Sequence, residues 1–138
     1  ICVEAIAGKA HGTVDYGNVP NCTYCSPEVA SVGLTEEQAK EQGLEIEVGK
    51  FPWVANGRAL AGGHTEGIVK VNRGAQYSEI LGAHIVGPHA TELIGEFVVG
   101  RHLESTVEEM DRAMHPHPTL SEAIAEGALS ALGRAIHI

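Results

Sequence analysis

The stretch Ile80-Leu81-Gly82-Ala83-His84-Ile85-Val86 decides the fold class, because it is almost wholly apolar over the length of one strand. A strand that is apolar on both faces is expected at the centre of a sheet. Strand patterns also occur at residues 29–34, 45–50 and 68–71. Only the polar loop 72–78 separates the last of these from 80–86, and such short connections join antiparallel neighbours. We therefore predict an antiparallel sheet.

Helical patterns fill most of the remaining chain. An apolar stripe over 93–98 predicts one helix face, whereas Asn56-Gly57-Arg58 is interpreted as a turn. Three segments have the Ser/Thr-x-x-Glu/Gln pattern of a capping box that opens a helix: 35–38, 105–108 and 119–122. Strands followed by helices predict an α+β fold, with the antiparallel sheet packed against the helices.

The composition and net charge of the chain argue against some classes of partner. The chain has 138 residues, an ordinary size for one domain, with 43% hydrophobic and 20% charged residues. Its net charge is −9, whereas nucleic acids and anionic membranes require a basic surface on their partners. No run of about twenty apolar residues occurs, so no span of a bilayer is expected. We predict a globular domain whose partners are neither nucleic acid nor membrane.

The three cysteines are too few, and odd in number, for a secreted disulfide framework, and no signal-peptide pattern is seen. We therefore expect a reducing compartment. Cys22-Thr23-Tyr24-Cys25 contains a C-x-x-C pair, which is half of a zinc site or a redox pair at most. Pro27 follows closely and favours an extended segment, so two buried free thiols are the default interpretation.

The segment His115-Pro116-His117-Pro118-Thr119-Leu120-Ser121-Glu122 carries the most chemistry. Each histidine precedes a proline, which holds it on extended backbone ahead of the terminal helix. Glu122 in the first turn is expected to reach back to His117, where a carboxylate would fix the tautomer and favour the imidazolium. His117 then has what an acid–base residue needs. The alternative is that Glu122 only caps the helix and His117 is an ordinary turn residue.

Metal binding is a further alternative for the histidines. His115 and His117 are two residues apart and point opposite ways on extended backbone, so they are poor joint ligands. The other histidines have no ligand spacing: 11, 64, 84, 89, 102 and 137. No metal site is predicted. The chain also lacks a G-x-G-x-x-G or Walker pattern, so it has no dinucleotide-binding fingerprint of its own.

Several segments, in order, resemble the dihydrolipoamide dehydrogenases, flavoprotein disulfide oxidoreductases of the pyridine nucleotide-disulfide oxidoreductase family. Residues 115–122 are similar to the family signature H-x-H-P-T-x-S-E. Residues 27–36 are similar to the P-E-[VI]-A-x-V-G-x-[ST]-E segment that opens the C-terminal interface domain, and 55–59 and 80–87 also fit. The resemblance implies that 19–138 form this dimerisation (interface) domain. Residues 1–18 would be the last helix and connector of the preceding FAD-binding domain.

The resemblance also implies a function. The intact enzyme is a homodimer that binds FAD and NAD and oxidises dihydrolipoamide carried on a lipoyl domain of a 2-oxoacid dehydrogenase or glycine cleavage complex. It implies that His117 is the acid–base residue in the partner subunit's active site, with Glu122 orienting it. It further implies a cis His117–Pro118 bond and a His117 carbonyl that faces the flavin, which makes His117 and Pro118 cofactor-binding. The expected compartment is the cytoplasm or the mitochondrial matrix.

Departures from the family pattern leave alternatives. This chain holds neither the redox cysteine pair nor the nucleotide-binding domains, so alone it is expected to bind no cofactor and to be inactive. Cys22 and Cys25 do not match the redox pair, and Pro116 stands where a small residue is expected. An interface domain of a glutathione or mercuric reductase, and a dimerisation module without chemistry, remain possible interpretations.

Overall fold

The structure is a computed structural model that describes residues 1–9 and 12–138. Within these residues, five strands form one antiparallel sheet in the order β1-β2-β5-β4-β3. The strands are β1 (Asn21–Thr23), β2 (Glu28–Gly33), β3 (Ile46–Pro52), β4 (Ile68–Gly74) and β5 (Ile80–Gly87). The helices are α1 (Cys2–Ile6), α2 (Glu36–Glu41), α3 (Gly57–Gly62), α4 (Ala90–His102), α5 (Val107–Arg112) and α6 (Glu122–Ala131). The α+β prediction with an antiparallel sheet is confirmed.

Strand β5 lies at the centre of the sheet, between β2 and β4, as its apolar sequence predicts. Residues that pair across neighbouring strands share a face, so Ile85 lies beside Ala30 and Val69, and Ala83 beside Val71. All five side chains are buried. This inner face is the main core of the domain, and helices α4 and α6 pack against the sheet.

Helix α6, which carries Glu122, lies unusually close to β3. A Cβ atom on Gly49 would clash with the carbonyl oxygen of Gly127 and with the backbone of Ala131. Gly127 in turn lies against the side chains of Val69 and Val71, where an added Cβ would be crowded. The two glycines therefore set the distance between α6 and the sheet.

At two places where the sequence predicts a turn or a loop, the structure has residues of a helix or a strand instead. Asn56 was expected in a turn, but it is the N-cap of α3, because its Oδ1 accepts a hydrogen bond from the Ala59 N–H at 2.9 Å. Asparagine favours both turns and helix N-caps, which is why the pattern misleads. The loop predicted from residue 72 begins only after Gly74, since buried Asn72 continues β4 and donates from Nδ2 to the Leu34 carbonyl at 2.9 Å.

Of the three predicted capping boxes, one is formed as predicted, one is shifted by one residue and one is half formed. The box of Thr35 and Gln38 is formed as predicted. The box placed at 105–108 is shifted by one residue, because Thr106 is the N-cap and pairs with Glu109. The last helix begins at Glu122 rather than just after Thr119, and only the Glu122 half of that predicted box is formed.

The cysteine prediction is partly wrong. All three cysteines are free, but Cys25 is exposed because it lies in the turn between β1 and β2, and Cys22 on β1 is only half-buried. His11, one of the scattered histidines, lies outside the described residues. In the part of the chain that the structure describes, no helix is long and apolar enough to cross a membrane.

Candidate active site

His117 and Glu122 form a hydrogen-bonded pair at the start of α6. The Nδ1 atom of His117 lies 2.8 Å from Oε1 of Glu122, which is the contact expected from the sequence. The imidazole side chain is 79% exposed, so its ring lies outside the domain's own core. Because an ionised carboxylate only accepts hydrogen bonds, Nδ1 must carry the proton of a neutral ring. Nε2 then has a free lone pair on an exposed edge.

Glu122 makes both of the contacts that the sequence left as alternatives, one with His117 and one with the backbone ahead of the helix. Its second oxygen, Oε2, accepts a hydrogen bond from the Thr119 N–H at 2.8 Å, while Oε1 holds His117. Partial burial pushes the pKa of Glu122 upward, but the hydrogen bonds from Thr119 and His117 and the charges of His117 and His137 outweigh it. The pKa of Glu122 therefore lies below its ordinary value, and the carboxylate is ionised near neutral pH.

The loop that carries His117 is held from two sides. Thr119 donates from its hydroxyl to the Pro116 carbonyl at 2.6 Å, and its own carbonyl accepts from Nδ2 of Asn56 at 3.0 Å. Asn56 is buried and also caps α3, so one side chain connects α3 to the loop. The His117–Pro118 peptide bond is cis, as the family resemblance implies.

His115 is directed away from His117 and pairs with another helix. Its Nε2 lies 2.6 Å from Oε1 of Glu96 on α4, and its side chain is only 9% exposed. The two histidines therefore engage different carboxylates, in agreement with the expectation that they are poor joint ligands. Among residues 1–9 and 12–138, no group of three or more His, Cys, Asp or Glu side chains is arranged to hold a metal ion.

A cavity of about 470 Å³ opens beside the His117–Glu122 pair. Leu60, Met114 and Ile136 contribute exposed apolar side chains to its walls. Such a concave surface, apolar with a few polar groups, is typical of a binding site. A second cavity, of about 540 Å³, is bordered by Cys25 and His89.

Sequence reasoning missed one residue pair at this cavity. Glu126 lies one helical turn after Glu122. Its Oε1 is 2.7 Å from Nδ1 of His137, and Glu126 and His137 both line the cavity. The i, i+4 spacing of Glu122 and Glu126 was a usable signal, because it places both carboxylates on one side of α6. Nothing in the sequence indicates that residue 137 folds back onto that helix.

This arrangement can accept and return a proton. A neutral imidazole with Nδ1–H on a carboxylate and an exposed Nε2 acts as a general base toward an acidic group in the cavity. The charge that forms on the ring is then stabilised by Glu122. Within the described residues, the hydrogen-bond partner of the His117 ring is Glu122, and no cysteine is hydrogen-bonded to it.

Comparisons with known proteins give a consistent picture. The family model for the pyridine nucleotide-disulphide oxidoreductase dimerisation domain matches residues 19–128. The dihydrolipoyl dehydrogenase of Bacillus subtilis (strain 168) is 48% identical over 137 residues, covering 99% of this chain and 29% of that protein. The mitochondrial dihydrolipoyl dehydrogenase of Pisum sativum is 50% identical over 137 residues, covering 99% of this chain and 27% of that protein.

Solved structures agree with the fold. The HOCl-induced flavoprotein disulfide reductase RclA from Escherichia coli superposes with a TM-score of 0.86 at 26% identity, covering 93% of this chain and 30% of that one. The chain thus spans less than a third of the length of the relatives reported above.

Proposed function

The chain belongs to the pyridine nucleotide-disulphide oxidoreductase dimerisation-domain family, and we propose that it is this domain of a dihydrolipoyl dehydrogenase. In this proposal, residues 19–138 form the interface domain and residues 1–18 lead from a preceding FAD-binding domain. His117 acts as the acid–base residue in the active site of the partner subunit, with Glu122 orienting it. The observation that carries the proposal is the exposed imidazole held through Nδ1 by Glu122, beside an open cavity.

The proposed proton step uses the exposed Nε2 edge of His117. Nε2 of neutral His117 accepts the proton of one thiol of dihydrolipoamide, and Glu122 stabilises the imidazolium that results. The thiolate attacks one sulfur of the enzyme's redox disulfide, so a mixed disulfide forms and the other cysteine leaves as a thiolate. The second substrate thiol then gives its proton to the cysteine thiolate already released and attacks the substrate sulfur of the mixed disulfide. The bond to the enzyme sulfur breaks, the lipoamide ring closes, and the second cysteine is released in reduced form. The base is needed because a thiol is mostly protonated at neutral pH, and only the thiolate is nucleophilic.

In this proposal, the cofactors would meet this chain only at the loop that carries His117 and Pro118. FAD and NAD, held by the other domains of the intact enzyme, would supply the acceptors for the electron pair of the reduced cysteines. Within the described residues the carbonyl oxygen of His117 accepts no hydrogen bond, so it is free to face a group on another subunit. This supports the assignment of His117 and Pro118 to the flavin-facing edge.

The proposed partner is a second copy of the chain. Leu60, Met114 and Ile136 expose apolar side chains around the cavity, and such a surface is typical of one that a partner covers. Dimerisation would bring the partner's disulfide and flavin to His117. The substrate would arrive on a lipoyl domain of a 2-oxoacid dehydrogenase or glycine cleavage complex, in the cytoplasm or the mitochondrial matrix.

Turnover of a His117→Gln variant tests the proposal, measured in the full-length enzyme that contains this chain. Glutamine keeps the polarity but cannot take up a proton, so we expect dihydrolipoamide oxidation to fall by about 10²–10⁴-fold. Flavin content and dimer size should be unchanged. His102→Gln, an exposed histidine at the end of α4, is the matched control and should retain wild-type turnover.

Turnover near the wild-type value in His117→Gln would reject the catalytic role and favour a dimerisation module without chemistry. If the wild-type enzyme turns over glutathione disulfide or mercuric ion in place of dihydrolipoamide, the substrate assignment is wrong, although the role of His117 could stand.

A further inference from the structure

The Glu126 carboxylate is buried, with a side chain only 8% exposed, and it holds the last residues of the chain against α6. Its Oε1 lies 2.7 Å from Nδ1 of His137, and its Oε2 accepts hydrogen bonds from the N–H groups of Ile136 at 3.1 Å and of His137 at 3.4 Å. The His137 side chain is 64% exposed. Glu126 therefore fixes a second imidazole in the same way that Glu122 fixes His117.

The two pairs are close neighbours. Residues four apart on a helix have Cβ atoms about 5–6 Å from each other, so Glu122 and Glu126 lie side by side on α6. His137 is bound to one of these carboxylates and borders the same cavity as the other. The charge of His137 acts on Glu122 in the same direction as the charge of His117.

We propose that His137 is a positioning residue that tunes the His117–Glu122 pair: Glu126 anchors its imidazole beside Glu122, where each proton that the ring takes up competes with His117 for the negative charge of Glu122. The proposal rests on the proposed function, in which His117 exchanges a proton with a thiol. His137 would keep His117 from holding its proton too strongly, so that the proton can be returned in each catalytic cycle.

Several ionisable groups line the cavity that His137 borders. Glu122 and Glu126 face it from α6, His115 and His117 lie on the loop before that helix, and Asp111 lies on α5. The cavity-lining residues from β3 and α3 and the segment between them have no ionisable side chain: Phe51, Ala55, Asn56, Gly57 and Leu60. Of these groups, His117 and His137 are the ones whose charges lower the pKa of Glu122.

NMR titration of the ring protons of His117 tests the proposal in the chain as it exists. Loss of the competing charge in His137→Gln should move the His117 titration midpoint upward by about half a pH unit or less, the order of magnitude for two unit charges one helical turn apart in a water-like dielectric. His137→Arg keeps the charge and should leave the midpoint near the wild-type value. Glu122→Gln removes the attraction itself and should move the midpoint downward.

An unchanged His117 midpoint in His137→Gln, with Glu122→Gln still lowering it, would overturn the proposal. An upward shift in both His137→Gln and His137→Arg would also overturn it, because the effect would then depend on packing rather than on charge. This readout requires no turnover, so it can fail while the His117→Gln assay succeeds, and the two proposals fail separately.

Discussion

At the scale of single residues, Glu122 links helix geometry to acid–base chemistry. One oxygen accepts from the Thr119 N–H ahead of the helix, and the other holds His117. A carboxylate used in this way is fixed by the backbone, so the imidazole that it holds is also fixed. The contacts expected from both interpretations of the segment, helix cap and His117–Glu122 pair, are therefore present together.

The lowered pKa of Glu122 predicts an acid-dependent stability. A depressed pKa in the folded state contributes stability that is fully present above the unfolded value, near 4.5, and is lost as the pH falls through the folded pKa. At pH 6, Glu122→Gln should lower Tm by roughly 3–6 °C, which corresponds to the loss of about 1 kcal/mol of hydrogen bonding in a chain of this size.

Scanning calorimetry of both proteins between pH 6 and pH 3 measures this difference. The gap in Tm should close at low pH, because protonated Glu122 then resembles glutamine. Glu28 and Glu109 also have lowered pKa values, owing mainly to hydrogen bonds with Thr91 and Thr106 respectively, but they are the same in both proteins. A gap that stays constant over this pH range would show that the charge of Glu122 contributes nothing.

At the scale of elements, the position of α6 depends on glycine. Gly49 of β3 leaves room for the backbone of α6, and a methyl group there would meet Gly127 and Ala131. Overpacking of a tight contact costs typically about 1–3 kcal/mol, so Gly49→Ala should lower the free energy of unfolding by that amount. Because α6 carries both carboxylates, the same change should also displace Glu122 from His117.

Denaturant unfolding measures the effect, and Gly95→Ala is the matched control. Gly95 lies mid-helix in α4 with no atom within 4 Å of an added Cβ, so alanine should be neutral or should stabilise by roughly 0.5–1 kcal/mol. Equal stability of Gly49→Ala and the wild type would mean that α6 does not rest on β3 as described.

Some of the elements could be predicted from local sequence alone, and others could not. The central strand β5 and the capping box at Thr35 follow from apolar pattern and side-chain chemistry alone. The α5 box shifts by one residue because both Ser105 and Thr106 can cap, and local sequence does not choose between them. Helix α3 was missed because Asn56 suits a turn equally well, and its buried contact with Thr119 is a long-range one.

At the scale of the whole molecule, local sequence predicts one histidine–carboxylate contact of the candidate site and does not predict the other two. The His117–Glu122 contact spans five residues, so backbone restriction by proline and helix geometry were enough to predict it. The Glu96–His115 and Glu126–His137 pairs depend on how α4 and the last residues fold onto the domain. Such contacts are set by packing, and periodicity does not encode them.

The central claim is that His117 serves the active site of the other subunit, and a mixed dimer of the full-length enzyme tests it most directly. One subunit would carry His117→Gln with its redox cysteines intact, and the other would keep His117 but have those cysteines replaced by alanine, each with a different affinity tag. Each homodimer lacks one essential group in both of its sites.

In the mixed dimer, one site has an intact disulfide from the first subunit and His117 from the second. We predict dihydrolipoamide oxidation at about half the wild-type rate, because one of the two symmetry-related sites is complete. A mixed dimer no more active than either homodimer would contradict the account.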